Sequence, residues 1–71
     1  MTHEQAELMQ KLAMSVDCCL DLVAAEARKE KRANEGKALR QVTWQDREKS
    51  FGRLIVDARD ALSADGHPVY F

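Results

Sequence analysis

The chain has 71 residues, 45% of them apolar in the broad sense, with 11 basic and 12 acidic side chains, two histidines, two cysteines and one proline. So short a chain has room for one domain and excludes a cofactor-binding α/β domain, a barrel, or two domains with a cleft between them. First-pass stability for this size comes out near zero, and disulfides, a metal or a second subunit often supply the shortfall. Two adjacent cysteines and two distant histidines are poor material for the first two, which leaves self-association as the expectation.

In chain order, Thr2 and Gln5 fit a capping box, in which each side chain satisfies the other's free backbone amide. A helix is therefore predicted over residues 3–34. Within it Leu8, Met9, Leu12, Ala13, Val16, Cys19, Leu20, Val23, Ala24 and Ala27 recur at three- and four-residue spacings on one side. Stepped by helical rotation, they span an arc of about 160 degrees, wider than a two-stranded coiled-coil seam. Beyond Ala27 the last turns read as polar all round and should project past the core. Asn34 or Gly36 ends the helix, Gly36 as a left-handed residue.

Residues 35–43 form a return segment, in which Leu39 and Val42 could anchor either a short helical turn or an extended strand. Thr43, followed by Asp46, reads as a second N-cap with an acid in the first turn. A second helix over 44–64 follows, with Trp44, Phe51, Leu54, Ile55, Ala58, Ala61 and Leu62 on one arc of about 120 degrees. Asp65, Gly66, His67 and Pro68 stop it. Residues 67–71 end in the apolar tail Val69, Tyr70 and Phe71.

The prediction is all-α: one helical domain over residues 1–71, an antiparallel two-helix hairpin. Two such hairpins would pair as a homodimer into a four-helix bundle. Leu8, Met9, Leu12, Val16, Cys19, Leu20, Val23, Phe51, Leu54, Ile55, Tyr70 and Phe71 are the expected dimer interface, because one companion helix cannot cover so wide an arc.

Charge is unevenly spread. Residues 1–27 set Lys11 against Glu4, Glu7, Asp17, Asp21 and Glu26, whereas from Arg28 to Arg40 six bases (Arg28, Lys29, Lys31, Arg32, Lys37, Arg40) face only Glu30 and Glu35. Acids early and bases late are what the helix dipole favours. The same cations could also meet an acidic protein surface or nucleic acid.

Catalytic and metal chemistry find little support. Cys18 and Cys19 point about 100 degrees apart on a helix and lack a C-x-x-C or paired-histidine companion. Cys19 reads as a small core residue and Cys18 as the outward one. His3 and His67 could approach each other at the chain ends but have no third ligand. Ser15, Ser50 and Ser63 lack a histidine at helical spacing, Asp17 and Asp21 lack further oxygen ligands, and Gly36, Gly52 and Gly66 form no phosphate loop. The expectation is a non-enzyme with no cofactor, metal or small-molecule substrate. No apolar run approaches a membrane span and no signal-peptide pattern opens the chain, so a soluble, cytoplasmic protein without membrane partners is expected.

Binding another protein is the favoured role. Met14, Cys18, Leu22 and Ala25 lie off the core arc of the first helix and Val56 off that of the second, so an outward face of Met14, Cys18 and Leu22 could grip a target beside the basic segment. A small dimeric nucleic-acid-binding regulator using the same cations is the alternative. The helix opening with Trp44, Gln45, Asp46, Arg47 and Lys49 could then be a recognition helix, although the first helix is long for a helix-turn-helix. No family motif is present. In size and helicity alone the chain is similar to small helical accessory proteins of bacteria and their phages, a resemblance that implies a non-enzymatic modulator or inhibitor of a larger protein.

Overall fold

Thr2 and Gln5 make the predicted reciprocal cap. The Thr2 hydroxyl accepts the Gln5 N–H at 3.1 Å and the Gln5 side chain accepts the Thr2 N–H at 2.9 Å. From this start α1 runs unbroken over His3–Ala33 in a computed structural model that describes all of residues 1–71. At 31 residues it is about 46 Å long. Asn34 caps its end, and Gly36, with φ +73°, turns the chain while the Lys37 N–H donates to the Asn34 carbonyl at 3.1 Å. The second helix, α2, spans Thr43–Ala64 and runs antiparallel to α1. It stops in a Schellman arrangement, with His67 N–H on the Leu62 carbonyl, Gly66 N–H on that of Ser63, and Gly66 at φ +75°.

Three expectations about the bend are corrected. Thr43 is the first helical residue of α2 and not its cap; Val42 holds the cap position and contributes no side-chain bond. Leu39 anchors nothing, being 92% exposed, and residues 37–42 are neither a helical turn nor a strand. Nor do the last turns of α1 project free of the rest of the chain: Glu30 is half-buried against the start of α2, and the Asn34 side chain is held to the backbone of Gln41.

The contact between the helices has a definite register. Ala6, Met9, Ala13, Val16, Leu20, Val23, Ala27, Glu30 and Asn34 alternate steps of three and four residues, as do Trp44, Glu48, Phe51, Ile55, Ala58 and Leu62. Every one of them is buried or half-buried. That alternation averages 3.5 residues per turn, the period of a left-handed two-helix coil. Four of the seven buried apolar residues are alanine, and Leu62, at 1% exposure, is the one large side chain wholly enclosed. The expected core position of Cys19 is corrected for the same reason: it falls off the alternation and is exposed.

A core this narrow leaves a long molecule. Its extents are 49 × 18 × 14 Å and its radius of gyration is 15.4 Å, against about 11 Å for a compact chain of the same length. No helix is long and apolar enough to cross a membrane.

Candidate interaction surfaces

At the open end, where the chain termini meet, the amino group of Met1 lies 3.1 Å from the Asp65 carboxylate. Next to this end lies an open groove of about 980 Å³. Its floor is Met9 and Ala13 from α1 with Ala58 and Ala61 from α2, and Leu8, Leu12 and Leu54 stand over it. Those three leucines are 59%, 58% and 43% exposed. The rim is polar and nearly balanced, with Gln5, Lys49, Ser50, and an Arg53–Asp57 pair at 3.2 Å.

Of the residues expected to meet a second copy, Leu8, Met9, Leu12 and Leu54 gather at this groove. Val16, Leu20 and Phe51 are half-buried along the seam, while Val23 and Ile55 are buried in it by their own chain. Tyr70 is exposed. Phe71 turns back onto α2, where the Arg59 guanidinium lies 5.8 Å from its ring and donates to its carbonyl at 3.3 Å.

The closed end is polar and built differently. Glu30 sits on the inward side of α1 and reaches the first turn of α2, whose amides have no acceptor within their own helix. Its carboxylate accepts the Trp44 N–H at 3.1 Å and the Gln45 N–H at 3.2 Å, and the Gln45 side-chain amide adds a third bond at 3.4 Å. Desolvation beside the bend pushes the Glu30 carboxyl up. The Trp44 and Gln45 backbone donors, the Gln45 side chain and the charge of Arg47 together outweigh it and hold the group below the usual carboxylate range. A carboxylate at the positive end of a helix is favourable in its own right. Arg47 also stacks over Trp44, 4.7 Å from the ring. Glu30 therefore does for α2 what Thr43 was expected to do. No sequence spacing announces this, because the acceptor comes from the other helix.

Asn34, 8% exposed, completes the bend: its oxygen accepts the Gln41 N–H at 3.3 Å and its amide donates to the Gln41 carbonyl. Around this frame Arg28, Lys29, Lys31, Arg32, Lys37 and Arg40 are all exposed. Lys29 pairs with Glu26 at 3.4 Å and Arg40 donates to the Lys37 carbonyl. The other four make no ion pair.

A third surface is the outer stripe of α1. Met14, Cys18 and Leu22, four residues apart, are all exposed, with Leu22 at 71%. Ala25 is half-buried and Val56 exposed. Both cysteines are free thiols, and no three His, Cys, Asp or Glu side chains come together as a metal site. Two buried positions escaped the apolar arc. Ala6 precedes the first residue of the arc, and Gln10 is a polar residue, 9% exposed, whose side-chain amide has no hydrogen-bond partner. Comparison of the chain with protein families, characterised proteins and solved structures finds no match.

Proposed function

We propose that the protein is a non-enzymatic helical hairpin that works as a homodimeric four-helix bundle in the cytoplasm, binding a partner protein and modulating or inhibiting it in the manner of small bacterial or phage accessory proteins. One observation carries the partner-binding part. The stripe of Met14, Cys18 and Leu22 lies outside the helix seam and the groove, is exposed throughout, and leads toward the unpaired cations Arg28, Lys31 and Arg32. An apolar strip bordered by charge is the usual make-up of a protein-recognition surface. Lys29, Lys37 and Arg40 extend the positive border around the bend. The mechanism is steric and electrostatic: the strip docks and the basic end selects an acidic neighbour.

The second reading, a nucleic-acid-binding regulator, is favoured by the same exposed cations of the bend, which outnumber its acids by six to two. Affinity capture from a host lysate, with and without nuclease, separates the readings. A protein retained after nuclease treatment and weakened about tenfold or more by charge reversal at Arg28 and Arg32 is the expected outcome, with helicity unchanged. Retention that ignores the reversal reduces the basic end to a solvated helix terminus. Loss of all retained protein on nuclease treatment selects the nucleic-acid reading.

A further inference from the structure

The isolated hairpin exposes 5406 Å², whereas a folded monomer of its mass, 8.0 kDa, is expected to expose about 4,450 Å². The surplus is about 950 Å². A standard protein interface takes about 800 Å² from each partner, so one such contact would bring the hairpin close to the surface of an ordinary folded protein. Where that contact belongs follows from the distribution of side-chain size. Four of the seven buried apolar residues of the seam are alanines, while Leu8, Leu12 and Leu54 stand together in water around one hollow.

We infer that the Leu8–Leu12–Leu54 groove is the face on which a second copy of this chain sits, two hairpins meeting groove to groove about a two-fold axis. This rests on the proposed self-association and names its site. An isologous contact requires one patch to carry both the projections and the hollows that receive them. This patch does: the three leucines project, and Ala13, Ala58 and Ala61 leave the space beside them. The rim is compatible with self-pairing as well. The Arg53 charge is matched by Asp57 and Lys49 is the one rim charge without an ion pair, so the face offers little to select a strongly charged ligand and only one like charge to set against its own copy. Pairing here leaves Met14, Cys18 and the basic bend free for another molecule, and it brings Leu12 and Leu54 into the part of an interface where truncations cost most.

The test is mass measurement by light scattering at micromolar concentration on the full chain and on L12E, L54E and L22E, each checked for helicity. The wild type and L22E are expected at twice the chain mass. L12E and L54E are expected as helical monomers, with dimerisation weakened on the order of 100-fold or more. If either glutamate variant loses its helices, the milder L12A/L54A pair takes its place and should still shift the chain toward monomer. Dimers that survive these groove changes and dissociate with L22E overturn the assignment while leaving self-association intact. A monomeric wild type removes both. If that monomer also brightens anilinonaphthalene sulfonate, and L12E abolishes the signal, the groove belongs to a small apolar ligand instead.

Discussion

The two ends of the hairpin solve opposite problems. At the closed end, polar groups that the fold takes from water are matched: Glu30 accepts the first amides of α2, and Asn34 bonds both backbone groups of Gln41. Toward the other end, apolar groups are left in water at Leu8, Leu12 and Leu54, and the Gln10 amide is buried without a partner. Hydrogen bonds made by few atoms can finish a bend within one chain. Hydrophobic burial scales with area, and a single seam between two slender helices, with four alanines among its seven buried apolar residues, offers little of it. The closed end is thus complete within one chain, whereas the open end is the place where the proposed second copy would add buried area.

Substitutions at the two ends should separate these characters. The largest effect is expected at Leu62, the one large side chain fully enclosed. Leu62→Ala should cost about 2–5 kcal/mol, out of a total of about 4–10 kcal/mol for a chain of this length. Thermal melting would show it, and a loss under about 1 kcal/mol would mean that the seam repacks. Next come two buried amides expected to respond with opposite signs. Asn34→Ala should destabilise by about 1–2 kcal/mol, since it strips the partner from both Gln41 backbone groups. Gln10→Met should stabilise by about 1 kcal/mol, because it removes an unmatched amide and keeps the volume. Denaturation by urea measures both, and equal signs would erase the contrast between the ends.

The smallest effect is tied to pH. Because the fold holds the Glu30 carboxyl below its ordinary value, its contribution is fully present above the ordinary carboxylate range and is lost as pH falls through the lowered value. Glu30→Gln should therefore make the acid limb of the stability curve shallower and change the melting temperature by only a few degrees near neutrality. Melting curves from about pH 3 to 7 test it; an unchanged acid slope would show that other carboxylates govern that limb.

How far these features could be read in advance depends on the range of the interaction. Thr2 with Gln5, Gly36, and Gly66 before Pro68 act on amides and carbonyls a few residues away. Both helices were accordingly expected almost to the residue. The start of α2 was misassigned because its acceptor arrives from fourteen residues upstream. Cys19 looked buried because apolar character sums over an arc, whereas contact with one neighbour selects a narrower strip, one that includes Ala6 and leaves Cys19 outside. The leucines around the groove were legible as excess apolar surface. That they share a hollow with Leu54 needed the pairing of the two helices.

Glu30 also bears on the order of events as the chain folds. A helix is costly to start and cheap to lengthen, and the second one borrows its starting acceptor from a side chain synthesised before it. During growth from the amino terminus, that acceptor is made before the amides it serves. A peptide of residues 43–64 cut away from it would fray from Thr43 inward.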